Sequence, residues 1–206
     1  MTERMTERMT ECMSPDPLAE LINPEASALV LVDYQQRLMP AIHDAASVLA
    51  HAVRLADIAR VMGVPVIGTE QNPHSLGPNE PAIRERCGAT LAKMHFDACA
   101  DGLVEALRAL RGRSGQPLRE VVIAGCEAHV CLMQTALGLL RAGLRVWVVE
   151  PACGSRRADD RALGLRRLER AGATCIGVEM VAFEWLRSCE HERFKALLPL
   201  LKTPIL

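Results

Sequence analysis

The segment "VVIAGCEAHVCLMQTALGLL" (121–140) places Cys126, His129 and Cys131 in the joint between a hydrophobic run ending in Gly125 and a helical pattern beginning near Cys131. Three kinds of chemistry fit such a joint. A thiol in the first turn of a helix can be a nucleophile, because the positive end of the macrodipole favours the thiolate and unpaired N–H groups can receive an oxyanion. A cysteine–histidine cluster can hold a metal or exchange a disulfide. Two cysteines can also simply pack as small apolar groups. Zinc requires four ligands at suitable spacing, and C-x₄-C has no second pair to complete the set. A redox pair would form a Cys126–Cys131 bridge, whereas a cysteine at a strand end is expected to point into the core.

Two further residues have types that complement a thiol. Asp33 ends the apolar run "ALVLVDY" (28–34), where a carboxylate either caps a turn or accepts a proton. Lys93 lies among apolar neighbours in "LAKMHF"; it is either a solvated lysine or a buried cation that favours the thiolate and orients the carboxylate.

The elements that must position these residues alternate along the chain. Apolar runs at 28–34, 64–69, 120–125, 145–150 and 173–178 read as buried strands, with 90–96 as a shorter strand or extended segment. Helical spacing covers 46–62, closed by Gly63, then 82–86, 103–111, 129–142, 159–171, 180–189 and 192–201. Such alternation predicts an α/β fold with right-handed crossovers and a parallel sheet covered by helices on both faces. Ligands of these sheets bind beyond the carboxyl ends of the strands, so Asp33, the Cys131 segment and the Lys93 segment are expected on one rim. Tyr34, Gln35, Glu70, Phe96 and His129 border the same region as pocket candidates. Gln35 either orients Asp33 or is a loop residue; Tyr34 and Phe96 either touch substrate or pack; His129 belongs to the pocket mouth or a subunit interface.

Composition bounds the rest. The chain has 206 residues, half of them apolar, and a formal net charge of −1. That size fits one domain with a full core, expected over 23–206, and gives no electrostatic footprint for nucleic acid. No apolar run is long enough to span a membrane. The opening "MTERMTERMTEC" repeats a short polar unit, so 1–22 is expected to be poorly ordered. The eight cysteines are scattered without CxxC pairs or a secretory leader, which suggests free thiols in a reducing cytoplasm.

The stretches "LVLVDYQQRLMPAI", "VPVIGTEQNPHSLGPNEPAI", "KMHFDA", "VVIAGCEAHVCLMQTALGLLRAG", "VVEPACGSRRADDRALGLRRLERAGA" and "VEMVAFEWL" together resemble the isochorismatase-like cysteine hydrolases, in order from Ala28 to Leu186. The "TEQ…LGP" loop and "EAHVC" segment look most like the isochorismatase-domain subgroup. The resemblance implies a Rossmann-like three-layer sandwich with a six-stranded parallel sheet, an Asp33–Lys93–Cys131 triad, and attack of the thiol on an amide-type carbonyl through a thioester. It also implies an oxyanion held by N–H groups near Ala128 and Cys131, and a non-proline cis peptide at Glu127–Ala128. Ala128 stands where many relatives have threonine. Metal-binding nicotinamidases carry an aspartate and two histidines in the loop where this chain offers Glu70 and His74, so no metal or other cofactor is expected. True isochorismatases cleave a vinyl ether without the cysteine.

These readings converge on a small-molecule hydrolase of C–N bonds that forms a homo-oligomer, without nucleic-acid or membrane partners. The alternatives are a vinyl-ether hydrolase using Asp33 alone, a redox sensor, and a non-catalytic protein that keeps the fold.

Overall fold

A computed structural model describes residues 21–112 and 115–205. The N-terminal repeat lies outside the described residues. Ile22 is already fully buried and its N–H donates to Glu184 Oε2 at 2.9 Å, so core packing begins one residue before the expected boundary.

Six strands form one parallel sheet: β1 (Ser27–Val32), β2 (Val66–Gln71), β3 (Ala89–Lys93), β4 (Glu120–Gly125), β5 (Arg145–Val149) and β6 (Thr174–Ile176), in the order β3-β2-β1-β4-β5-β6. The central strands β1 and β4 are buried at every position, as their unbroken apolar runs require when both faces are covered. The helices are α1 (Ala45–Met62), α2 (Pro73–Leu76), α3 (Pro81–Arg84), α4 (Leu103–Ala109), α5 (Cys131–Arg141), α6 (Ala158–Arg170), α7 (Val178–Leu186) and α8 (Phe194–Lys202). Helix α1 packs with α7 and α8 on one face, and α5 packs with α6 on the other.

The expected architecture is present, with shifts of a few residues at several element ends. Strand β2 runs on to Gln71 instead of stopping at Thr69. Strand β3 ends at Lys93, because Asp101 Oδ2 accepts the N–H groups of Met94 and His95 and bends the chain into a turn. Strand β6 stops at Ile176, since Gly177 caps α7 in extended conformation.

Strand order reverses direction between β1 and β4, which opens a crevice at their carboxyl ends. Register then fixes what meets there. Val32 pairs with Gly125 on one side and Thr69 on the other, so Asp33 and Cys126 are the next residues onto the rim. A Cβ on Gly125 would lie 2.4 Å from Val32 O, so only glycine allows this approach of β4 to β1. Gln71 pairs with Lys93, which ends β2 and β3 at the same level.

Candidate active site

Asp33 leaves β1 with φ 55°, a left-handed conformation that aspartate tolerates better than most residues. The turn buries its carboxylate completely on the rim. Oδ1 accepts a hydrogen bond from Thr69 Oγ1 at 2.6 Å, and Oδ2 lies 2.8 Å from Lys93 Nζ. Both side chains of that ion pair have no exposed surface. Burial of two charges is tolerable only when the remaining protons and lone pairs also find partners. Lys93 meets this demand: Nζ donates to Gln71 Oε1 at 2.7 Å and reaches the carbonyl oxygens of His95 (3.4 Å) and Phe96 (3.5 Å).

Gln71 escaped the residue-by-residue reading because a glutamine at a strand end carries no charge signal. Its importance comes from the register that sets it opposite Lys93. Gln35 supports it. The Gln35 side chain accepts the Gln71 N–H at 2.9 Å and donates to Gln71 O at 3.0 Å and Gly77 O at 2.6 Å. Gln35 therefore acts on Gln71, and among the described residues its side chain makes no hydrogen bond to Asp33. Thr69 was also unassigned in sequence, although it is the residue that anchors Asp33.

Cys131 is the first residue of α5 and is buried at 6% exposure. Its thiol interacts with both Asp33 and Lys93. Burial, and then the negative charge of Asp33, push the thiol up to about 12 against the pull of the Lys93 ammonium. At neutral pH the sulfur therefore holds its proton. Asp33 and Lys93 thus meet as an ion pair, and Cys131 lies within reach of the charges of both.

The nucleophile turn differs in detail from expectation. The cis peptide joins Cys126 to Glu127, one residue before the expected Glu127–Ala128 bond. The sheet explains the position: Cys126 N–H still donates to Val32 O at 2.9 Å and Cys126 bridges to Gly154, so the chain leaves the sheet directly after it. Ala128 N–H is engaged by Gly154 O at 2.7 Å, and Val130 N–H by Glu127 O at 3.0 Å. Among the described residues of the turn 127–131, the N–H groups of Glu127, His129 and Cys131 have no protein acceptor. Helix α6 holds the turn from outside, since a Cβ on Gly164 would fall 2.7 Å from Ala128 O and 2.8 Å from His129 Cα.

The remaining candidates are distributed around this centre. Tyr34 is fully buried and its hydroxyl donates to Ala152 O at 2.5 Å, so it packs and does not face a ligand. Glu70 Oε1 accepts the Asn79 N–H at 2.9 Å and props the loop after β2. Phe96 is 51% exposed beside Lys93. His129 is half-buried and pairs with Ser155, while the Glu127 carboxylate binds Arg156. Cys126 points inward with Sγ 3.9 Å from Met39 Sδ, as expected of a core thiol. Among the described residues no group of three histidine, cysteine or acidic side chains could hold a metal.

A family model described as the Isochorismatase domain matches residues 27–180, a span that includes every residue of the centre just described. The chain belongs to the isochorismatase family. A curated relative, isochorismatase domain-containing protein 2A of Mus musculus, is 35% identical over 185 residues, covering 89% of this chain and 86% of that protein. Among solved structures, MAR1 ribonuclease from Caenorhabditis elegans is 31% identical with a TM-score of 0.83, covering 90% of this chain and 94% of the other. YcaC from Pseudomonas aeruginosa, solved with hexane-2,5-diol and covalent acrylamide, is 26% identical with a TM-score of 0.78, over 88% and 92% of the two chains. The isochorismatase-family hydrolase fold is thus common to proteins described in quite different functional terms.

Proposed function

We propose that the protein hydrolyses a C–N bond in a small amide-type molecule through a thioester on Cys131. The observation that carries this reading is the buried Asp33–Lys93 ion pair, whose two charges both act on the thiol at the start of α5, in a turn with unengaged backbone N–H groups. A thiol held near 12 is almost entirely protonated at neutral pH, so attack requires its proton to move during the step. Asp33 takes that proton as sulfur bonds to the carbonyl carbon. The Glu127 and Cys131 N–H groups receive the oxyanion, a contribution of about 3–4 kcal/mol per donor in comparable sites. Asp33 then protonates the leaving amine as the C–N bond breaks. In the second half Asp33 deprotonates water, which attacks the thioester; the acid leaves and sulfur regains its proton. Lys93 holds Asp33 in place and offsets negative charge on both partners. The chemistry is complete without a cofactor. The covalent acrylamide described for the YcaC neighbour is consistent with an accessible nucleophile in this fold.

Self-association is part of the reading. Met94 and Phe96 are 65% and 51% exposed immediately beside Lys93, and apolar groups at a pocket mouth suit burial by a second copy. Light scattering on wild type and Phe96→Glu should show an oligomer that the substitution weakens; a monomeric wild type removes this element.

A second reading comes from the MAR1 neighbour, described as a ribonuclease. One experiment separates the possibilities: a panel of small amides, a vinyl-ether substrate and RNA, each tested with wild type and Cys131→Ala. Amide turnover lost in the variant supports the thiol mechanism. Vinyl-ether turnover that survives the substitution supports Asp33 acting alone. RNA cleavage by wild type without amide turnover replaces the proposal with the ribonuclease reading.

A further inference from the structure

Helix α6 buries Gly164, Leu165 and Leu168 and leaves Leu163 56% exposed on its outer side. Asp159 and Asp160 lie four and three residues before that leucine, and Arg166 and Arg167 lie three and four residues after it. At about 100° and about 1.5 Å per residue, all four fall within about 60° of Leu163 around the helix and about 6 Å along it. The outer face therefore reads acid, leucine, arginine, with the charges placed symmetrically about the leucine.

The two signs cannot neutralise each other within the helix. Side-chain pairs form at spacings of three and four, where Asp159 and Asp160 meet only Ala162, Leu163 and Gly164. Among the described residues none of the four charged side chains makes a hydrogen bond or a close ion pair, although the charge of Asp160 reaches Arg156. Acids at the start and arginines at the end suit the helix macrodipole, which accounts for the order of the signs. It does not account for an exposed leucine at their midpoint.

A two-fold axis beside Leu163 accounts for both. It sets α6 antiparallel to the α6 of a second copy, brings the two leucines together, and places acids opposite arginines at each end. The match needs no other partner, because the face is complementary to itself. Arg170 lies about 10 Å from Leu163, where crossing helices diverge, and Arg156 is already held by Glu127. Helix α5, packed against α6 in the same layer, leaves Leu137 and Leu140 half-buried, so the surface is broader than one helix.

We infer that the outer face of α6 is a two-fold interface whose partner is a second copy of this chain. It is independent of the chemistry at Cys131 and separate from the contact at Met94 and Phe96, which belongs to the turn after β3.

Sedimentation of Phe96→Glu protein, in which that other contact is weakened, provides the test. This parent should still form a dimer. Asp159→Arg with Asp160→Arg makes the face wholly basic, and Arg166→Asp with Arg167→Asp makes it wholly acidic. Added to the parent, each double change turns attractive pairs into repulsive ones and should raise the dissociation constant by about tenfold or more. An equimolar mixture of the two should dimerise again, because a basic face then meets an acidic one. Circular dichroism confirms that each chain is folded, and the restored mixture separates a lost contact from a damaged protein. A monomeric parent, charge variants that dimerise as the parent does, or a mixture that stays monomeric would overturn the assignment.

Discussion

Replacing Asp33 with asparagine should separate thiol reactivity from catalysis. The carboxylate raises the Cys131 thiol, whereas Lys93 lowers it, and burial sets the level near 12 on which both act. Asparagine keeps the shape and removes only the charge, leaving the ammonium unopposed. A charge in contact is worth about 1–3 pKa units, so the thiol should fall to roughly 9–11. At pH 7.5 the thiolate fraction would then rise by about 10- to 1,000-fold. Intrinsic nucleophilicity falls with pKa by roughly half of that gain on a logarithmic scale, which leaves an increase of about 3- to 30-fold. The assay is alkylation by iodoacetamide, mapped to Cys131 by peptide mass, with amide turnover followed in parallel. Asp33→Asn should label faster and hydrolyse nothing. In wild type, labelling should keep rising with pH and not level off below about pH 11, because the deprotonated form is lost as pH falls through the raised value. The complementary Lys93→Met removes the lowering influence and should label more slowly. Because a buried charge loses its partner in each variant, at a cost of about 3–5 kcal/mol, rates must be read on protein shown to be folded. A folded Asp33→Asn that labels no faster than wild type would refute this account of the electrostatics.

Two neighbouring substitutions follow from the same geometry. Gln71→Leu removes the 2.7 Å acceptor of Lys93 and should lower stability by about 1–3 kcal/mol, with Gln35→Ala reproducing part of the effect; denaturant unfolding measures both. Gly164→Ala gains about 1 kcal/mol of helix propensity against an overpacking cost of about 1–3 kcal/mol where its Cβ meets Ala128 O. The net loss of up to about 2 kcal/mol should lower the melting temperature by at most several degrees while kcat falls, because the displaced turn carries the proposed oxyanion donors; an unchanged kcat would contradict that role.

The sheet was legible because parallel strands buried on both faces must be written as continuous apolar runs, and α/β alternation leaves few topologies. Asp33 and Lys93 stood out as charges inside such runs. What could not be read was anything that depends on register or on the path of a turn. Gln71 became important only when pairing set it opposite Lys93. The family resemblance implied an oxyanion donor near Ala128, yet the Ala128 N–H is taken by Gly154, a residue 26 positions away that only the folded sheet brings near. Tyr34 was open to substrate contact or packing, and its burial with a hydroxyl donating to Ala152 O shows the packing role.

The central claim is an acyl group carried by the sulfur of Cys131. Rapid acid quench during the first turnover of a hydrolysed amide, followed by peptide mass mapping, tests it directly. A mass increment equal to the acyl group on the peptide containing Cys131, absent in Cys131→Ala together with all turnover, is the predicted result. An alanine variant that hydrolyses the same amide at the wild-type rate would contradict it.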